Sequence, residues 1–367
     1  MNIRGVHIQL LILLLVGGHS SCNPKATTKS EVQSVHTDAL LKEKPKGAKI
    51  PEGMVWIPGN LLQQGALPTD PFAMKHEHPT HTVAVDGFFM DITEVTNAQF
   101  TRFVSETGYI TLAERPVDWS ALKKQLPPDT PKPADSLLQP GSLLFKVPQF
   151  PISNRNDYTQ WWEWKVGTNW KHPQGPGSSI KGKENYPVTH IAYEDALAYC
   201  DWIGKRLPTE AEWELAAKGG LDGLVFPWGN HKEGAVQNAN TFSGNFPMYN
   251  DQKDGFVNKA PVGSYSPNAY GLYDMIGNVW EWTQDWYHAG YYEQLASKKE
   301  ITRNPKGAKS TYHPTNPLAK EKIIKGGSFL CHENYCLSYR FSARMGNALD
   351  SSQEHVGFRT VMSIPAK

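Results

Sequence analysis

The chain has 367 residues, enough for one large domain or two ordinary ones, and carries a formal net charge of +1. Charges of both signs are mixed along it, so no basic stripe indicates a nucleic-acid partner and no acidic tail indicates a basic one. Aromatic residues reach 11%, and 31 Gly with 27 Pro favour a loop-rich fold over a helical bundle.

The first 22 residues have the pattern of an export signal. Arg4 gives a positive start, a short apolar stretch runs from Leu10 to Val16, and small residues follow up to Cys22. Small residues before a cysteine resemble a bacterial lipoprotein cleavage site, although His19 stands where an aliphatic residue is usual. We therefore expect an exported protein of the periplasm or cell envelope, attached to the membrane through a lipid on Cys22. Plain secretion and an uncleaved anchor are the alternatives.

A polar, Lys-rich stretch follows the signal, and residues 23–50 are predicted to be a flexible tether. Order is expected to begin near Met54. The sequence has no other linker and no internal repeat, which predicts a single domain over 51–364.

Two capping boxes predict helices in this domain. Thr96 with Gln99 begins one helix, and Thr209 with Glu212 begins another. A third helix is predicted from Glu194 to Ile203, and its apolar spacing places Cys200 on the buried face. The glycines expected to end the first two helices are Gly108 and Gly219.

Strand signals are short and scattered. They predict strands at 81–85, 88–90, 323–325 and 357–362, while most of 110–190 and 221–270 is expected to be irregular. Helices and strands do not alternate regularly, which argues against a doubly wound parallel sheet. The sequence therefore predicts an α+β fold with little regular secondary structure.

Cys331 and Cys336 lie five residues apart, in a chain with four cysteines. Two close thiols can form a structural disulfide, hold a soft metal or carry redox chemistry. A structural zinc site is disfavoured, because no second Cys/His pair has matching spacing. The spacing alone leaves the disulfide and the metal or redox function open.

Seven segments carry a family pattern in the same order along the chain: 54–59, 94–97, 205–214, 270–274, 277–282, 326–328 and 357–359. Together they resemble the formylglycine-generating enzyme (sulfatase-modifying factor) family. The resemblance implies the loop-rich, C-type-lectin-like α+β fold of that family. It also implies a copper-dependent enzyme, because the segment from Cys331 to Cys336 has the enzyme pattern and non-catalytic members generally lack both cysteines.

The reaction implied by this resemblance is the oxidation of a sulfatase cysteine to Cα-formylglycine. The substrate would be an unfolded sulfatase segment containing Cys-x-Pro-x-Arg, and the reaction would use dioxygen and a thiol reductant. Cys331 and Cys336 would be the catalytic residues and would hold Cu(I), which prefers thiolate ligands. The residues expected to line the substrate site are Ser328, His332, Tyr335 and Trp161.

Two structural calcium sites are also implied by the resemblance, since hard cations are held by side-chain and carbonyl oxygens of loops. Asn, Asp and Gly are common turn formers, so a pair of solvated turns is the alternative. Asp274 stands where some relatives have Asn. The implied ligands are Asn240, Thr241, Asp254 and Phe256 in one site and Asp274, Gly277, Val279 and Glu281 in the other.

Some features depart from the family or compete with this interpretation. Cys200 matches a disulfide position of some relatives, but its usual partner is here Thr360, so a buried free thiol is predicted. Segments 110–160 and 285–320 match poorly and are candidates for choosing among sulfatases. A non-catalytic envelope lipoprotein, using the fold as a binding or assembly module, is the main alternative. An iron-dependent sulfoxide synthase is disfavoured, because the helical domain that supplies its iron ligands is not found in this sequence. A serine hydrolase is disfavoured, because Ser328 does not lie in a Gly-x-Ser-x-Gly elbow.

Overall fold

The computed structural model describes residues 40–155 and 157–364. The predicted export signal and Cys22 lie outside these residues. The described chain already contacts the domain before the boundary at residue 51: Leu41 donates its N–H to Asp86, and its carbonyl accepts from Gly59 and Gly87. Within the described ranges, no helix is both long enough and apolar enough to cross a membrane.

The helices are short, and their ends follow the predicted caps. Thr96 accepts from the backbone of Gln99, and Thr209 accepts from that of Glu212, so both capping boxes are confirmed. Gly108 and Gly219 end these helices in the left-handed conformation, which suits glycine. The helices are α1 (Asn97–Thr107), α2 (Trp119–Lys123), α3 (Tyr193–Ile203), α4 (Glu210–Lys218), α5 (Ala235–Asn238) and α6 (Tyr291–Ala296).

Short strands form several small sheets rather than one large one. The strands in the described chain are β1 (Met54–Ile57), β2 (Asn60–Gln64), β3 (His81–Val85), β4 (Phe88–Asp91), β5 (Gly141–Phe145), β6 (Trp162–Val166), β7 (Gly244–Asn245), β8 (Tyr249–Asn250), β9 (Trp280–Trp286), β10 (Thr302–Arg303), β11 (Glu321–Lys325), β12 (Arg344–Ala348), β13 (Val356–Gly357) and β14 (Val361–Met362). The expected α+β fold with modest regular structure is therefore confirmed.

Three of the sheets frame the domain. One has the order β12-β11-β9-β13, with β11 antiparallel to both neighbours and β13 parallel to β9. The others have the orders β1-β4-β14 and β10-β3-β2. The segment 357–362, predicted as one strand, instead crosses between two sheets: β13 pairs with β9 and β14 pairs with β4. The single-strand prediction was wrong because Phe358, which is fully buried, lies in the crossover between them.

Most of 110–190 is irregular as predicted, but one hairpin in this segment was not predicted. β5 and β6 pair antiparallel in a two-stranded hairpin, from Gly141 opposite Val166 to Phe145 opposite Trp162. Alternate side chains of a strand point to opposite faces, so Trp162 and Trp164 share one face of this hairpin. That face forms one wall of the cavity described below.

Three buried arginines join the C-terminal segment to the rest of the domain. Each makes a two-point contact with a buried glutamate, and leaving one of these charges unpaired would cost several kcal/mol. All three arginines follow Cys336 in the sequence, so they fix the backbone on the C-terminal side of the cysteine pair. The pairs are Arg340 with Glu77, Arg344 with Glu210 and Arg359 with Glu281.

Candidate active site

The loop between β11 and β12 brings Cys331 and Cys336 together. The carbonyl of His332 accepts the backbone N–H groups of Tyr335, Cys336 and Leu337, at 3.0, 3.0 and 3.1 Å, and closes a compact turn. Cys331 is anchored on the other side, because its carbonyl accepts from the N–H of Phe242 at 3.0 Å. The loop geometry therefore sets two thiols side by side without a helix or a regular strand.

The two thiols are free and hydrogen-bonded to one another. Burial raises the pKa of Cys331 well above its ordinary value, whereas the hydrogen bond from Cys331 lowers the pKa of Cys336. Cys331 is 1% exposed and Cys336 is half-buried. Cys336 is therefore the thiol that ionises first and that solvent reaches first.

Both thiols lie in the wall of a cavity of about 670 Å³. The cavity reaches the surface, because Tyr158 and Met74 in its rim are 55% and 44% exposed. Its walls come from the β5–β6 hairpin, the start of β9, the cysteine loop and the segment before β13. Its remaining lining residues include Leu143, Trp162, Trp164, Trp280, Ser328, Tyr335, Met345, Gln353 and His355.

Ser328 lies in this wall and is hydrogen-bonded to His355, a histidine that no sequence pattern indicated as part of the site. Its Oγ lies 3.2 Å from Nδ1 of His355, whose Nε2 lies 2.8 Å from Oε1 of Gln353. Burial lowers the pKa of His355 to about 3, so the imidazole is neutral and a poor general base. With an amide instead of a carboxylate behind it, this arrangement does not support serine hydrolysis.

Trp280, like His355, belongs to the site although the sequence did not indicate a role for it. Its indole N–H is buried and has no hydrogen-bond partner among the residues that the structure describes. A buried donor without a partner is costly, so this N–H is available to a polar ligand in the cavity. The sequence signal was present, since Trp280 falls inside the segment 277–282 that carries the family resemblance, but spacing alone assigns it no chemistry.

The other predicted lining residues lie around Tyr335. Tyr335 lines the cavity and stacks on Phe246 with ring centroids 4.1 Å apart. Trp161 is only 1% exposed, donates to the Tyr335 hydroxyl at 3.4 Å and meets its ring edge-on. Trp161 and His332 line a separate pocket of about 190 Å³ on the other side of Tyr335, so they support the cavity wall from behind.

The first predicted calcium loop is assembled as a unit. The carboxylate of Asp254 accepts from the N–H groups of Thr241 and Phe256, at 2.9 and 3.1 Å. The amide nitrogen of Asn240 donates to the carbonyl of Asn258 at 2.9 Å, which leaves its amide oxygen for another partner. The four predicted ligands are therefore neighbours, and all offer oxygen, the donor that calcium prefers.

The second predicted calcium loop contains an unsatisfied acceptor. Oδ1 of Asp274 is buried and has no hydrogen-bond partner within the described part of the chain, and burial raises the pKa of Asp274 to about 6. Most acceptor positions of Glu281 are already occupied, because its carboxylate accepts two hydrogen bonds from Arg359 and one from Trp213. A carboxylate offers about four acceptor positions, so one remains.

In 40–155 and 157–364, no cluster of three or more His, Cys, Asp or Glu side chains is arranged to hold a metal. A cation in either calcium loop would therefore depend on backbone carbonyls, as the prediction requires.

The side chain of Asn278 connects the two predicted calcium loops. It accepts from the amide of Asn240 and from the N–H of Ala260, and it donates to Glu94 at 3.0 Å. Asn278 is fully buried and has a φ of 54°, a conformation that asparagine tolerates better than most residues. One side chain therefore joins the first loop, through Asn240, to the second loop, in which Asn278 itself lies between Gly277 and Val279.

The backbone of Asn278 extends this connection to the cysteine loop. Its carbonyl accepts from the N–H of Phe329 at 2.9 Å. Phe329 directly follows Ser328 and lies two residues before Cys331. The geometry of the thiol pair is therefore tied to that of both predicted calcium loops through one residue.

Sequence and structure comparisons relate the chain to known proteins. Residues 37–364 match the sulfatase-modifying factor enzyme 1-like domain. The chain is 43% identical over 308 residues to the formylglycine-generating enzyme of Mus musculus, covering 83% of this chain and 74% of that one. It is 42% identical over 314 residues to the formylglycine-generating enzyme of Thermomonospora curvata, covering 85% and 93%. Among solved structures, PvdO from Pseudomonas aeruginosa has the same fold, with a TM-score of 0.56 and 21% identity over 85% of this chain and 94% of that one.

Proposed function

The chain belongs to the sulfatase-modifying factor family, and from this premise we propose that it is an enzyme of sulfatase maturation, oxidising a sulfatase cysteine to Cα-formylglycine. The observation that carries the proposal is the pair of free, hydrogen-bonded thiols in the wall of a cavity that reaches the surface. A binding or assembly module would not need two such thiols in the wall of a cavity, so the non-catalytic alternative is disfavoured.

Copper is the metal that the thiol pair fits. Two sulfur donors side by side are soft ligands, and Cu(I) prefers them over the oxygen ligands that hard cations select. When bound, Cu(I) would supply the redox chemistry through which dioxygen oxidises the substrate. Cys331 and Cys336 would hold the ion, the N–H of Trp280 would donate to a polar group in the cavity, and the aromatic walls would limit access of water.

The shape of the site suits an extended peptide containing Cys-x-Pro-x-Arg. The cavity beside the thiols has aromatic walls from Trp162 and Trp164, which are suited to apolar contact with a proline. A second cavity of about 600 Å³ shares Leu143 and Trp164 with it and is also lined by the acidic residues Asp118 and Asp350. These carboxylates are suited to an arginine. Residues 110–160 form much of this second cavity, which supports a role for that segment in choosing substrates.

Calcium and export complete the proposal. Calcium in the two loops would fix long irregular segments, and its support is the set of clustered oxygen donors with the unsatisfied Oδ1 of Asp274. Export to the periplasm or cell envelope and a lipid on Cys22 are supported by the N-terminal sequence pattern.

The proposal is tested by mass spectrometry of a peptide. The copper-loaded protein is incubated with a Cys-x-Pro-x-Arg peptide, oxygen and a thiol reductant, and the peptide mass is followed. Formylglycine should form with the wild type and with Cys200→Ala, which removes a buried thiol outside the cavity, but not with Cys331→Ser or Cys336→Ser. An unchanged peptide mass with folded, copper-bearing wild type would refute the proposed reaction.

A further inference from the structure

The methionines of the described chain are distributed unevenly. Seven lie in the described residues, and among them Met74 and Met345 are the two exposed ones, at 44% and 37%. Both line the cavity that holds Cys331 and Cys336. Methionine commonly fills gaps in a buried core, but a half-exposed thioether gains little from packing. The position of this pair therefore calls for another explanation.

Two remote segments are joined so that these side chains share one cavity. Nε2 of His76 lies 3.0 Å from the carbonyl oxygen of Arg344, and Nη1 of Arg344 donates back to the carbonyl of His76 at 3.2 Å. Met74 precedes His76 by two residues, and its N–H donates to Glu77 at 3.2 Å. Met345 directly follows Arg344 in β12. The reciprocal contact between the two segments thus holds both methionines at the cavity.

The chemistry of a thioether differs from that of the two thiols deeper in the site. A thioether is neutral, does not ionise and does not form a disulfide, yet it is a soft ligand that selects Cu(I). Cys331 is 1% exposed and lines the same cavity as Met74 and Met345, so an ion that reaches Cys331 enters through that cavity.

We propose that Met74 and Met345 form an entry site that captures Cu(I) from solution and passes it to Cys331 and Cys336. The inference rests on the proposed function, because the thiol pair is the destination of the ion. The transfer is a ligand exchange: bonds from the thioether sulfurs to Cu(I) break, bonds from the thiolate sulfurs form, and the thiol protons pass to solvent. The ion remains Cu(I), so no oxidant or reductant is consumed. The negatively charged thiolates bind the cation more tightly than the neutral thioethers, which gives the transfer its direction.

The first test measures the rate of copper uptake. Protein with reduced thiols is mixed with Cu(I) held by bicinchoninate, and the loss of that complex's absorbance is followed in stopped flow. The double variant Met74→Leu/Met345→Leu keeps apolar side chains of similar size and should take up copper about tenfold more slowly, with the same final stoichiometry. The matched control is Met362→Leu, which lies on β14 away from the cavity and should match the wild type. Uptake by the double variant at the wild-type rate would overturn the inference.

A second measurement separates this inference from the proposed function. In a Cys331→Ser/Cys336→Ser variant labelled with 13C at the methionine methyl groups, titration with Ag(I), a redox-inert stand-in for Cu(I), should shift the signals of Met74 and Met345 alone. No shift there, with normal copper uptake by the wild-type thiols, would refute the entry site and leave the proposed function standing. Shifts at both methionines in a protein whose wild-type thiols take up no copper would refute the proposed copper chemistry instead.

Discussion

Oγ of Ser328 lies 3.2 Å from Nδ1 of His355, inside the cavity that holds the two thiols. The direction of this bond is set by Gln353, whose Nε2 donates to Asn347 and Ser351 and whose Oε1 therefore faces His355. An amide oxygen can only accept, so Nε2 of His355 carries the ring proton and Nδ1 accepts from the Ser328 hydroxyl. Ser328 consequently offers a hydrogen-bond acceptor to the cavity, and His355 positions it.

Replacing His355 should impair turnover through Ser328. His355→Phe keeps a ring beside Trp162 but removes the acceptor for the hydroxyl, and a lost hydrogen bond of about 1 kcal/mol corresponds to roughly a fivefold fall in kcat/KM. Ser328→Ala should cause a comparable fall, and the double variant should be no worse than the more impaired single variant. Additive losses in kcat/KM would show that His355 acts independently of Ser328.

The three described thiols should differ sharply in reactivity. Burial raises the pKa of Cys200 to about 12, while the hydrogen bond from Cys331 lowers the pKa of Cys336. Since the thiolate is the reactive form, iodoacetamide at pH 8 should label Cys336 first and leave Cys200 unlabelled until the protein unfolds. Peptide mapping after short exposure checks the order, and labelling of Cys200 in the folded protein before Cys336 would contradict it.

Removal of calcium should lower thermal stability. A ligand present at 100 times its Kd stabilises the folded state by about 2.7 kcal/mol per site, so adding excess calcium after chelation should raise the melting temperature. In Asp274→Ala, the rise in melting temperature on adding calcium should be smaller, because the second loop no longer binds the ion. Asp222→Ala, at an exposed position, should retain the full gain. The measurement is thermal unfolding with and without calcium, and a melting temperature insensitive to both chelator and calcium would argue against the two sites.

Asp285 should make stability depend on pH. Burial, and next the charge of Glu210, raise the pKa of this carboxyl from 3.8 to about 7. The folded state therefore favours the protonated form, and its stabilising contribution is complete below pH 4 and lost as the pH rises to about 7. A difference of roughly three pKa units corresponds to at most about 4 kcal/mol.

The variant Asp285→Asn isolates this effect. The amide oxygen can still accept the N–H of Glu210, which the carboxylate accepts at 2.9 Å, but the side chain does not ionise. Denaturant unfolding between pH 4 and pH 8 should show the wild type losing stability relative to the variant as the pH rises. A constant difference between the two proteins across that range would mean that Asp285 has an ordinary pKa.

Local signals in the sequence predicted what depends on neighbouring residues. The capping boxes at Thr96 and Thr209 were found because their partners lie three residues away, and the buried face with Cys200 follows from helical spacing. The crossover at Phe358 was missed, because the choice of sheet for each end of that segment depends on distant strands β4 and β9.

The candidate site shows the same division. Cys331 and Cys336 were found from five-residue spacing and the family pattern, both local features of the sequence. The contact of Ser328 with His355 joins residues 27 positions apart, and the contact that holds Met74 near Met345 joins positions 76 and 344. Such contacts form when several sheets pack together, and they leave no local pattern in the sequence from which they could be predicted.

Asn278 has a consequence for how sequences of this kind can change. A replacement at this position would have to provide a side-chain donor for Glu94, an acceptor for Ala260 and a backbone that accepts a positive φ. Glycine allows the positive φ but has no side chain to form the hydrogen bonds, and aspartate has no side-chain donor. Glutamine has both the donor and the acceptor, but its side chain is one methylene longer and the position is fully buried. Very few substitutions should therefore be tolerated at this position, whereas many should be tolerated in the part of the second cavity that residues 110–160 form. New substrates can then be acquired in evolution while the oxidative chemistry is inherited unchanged.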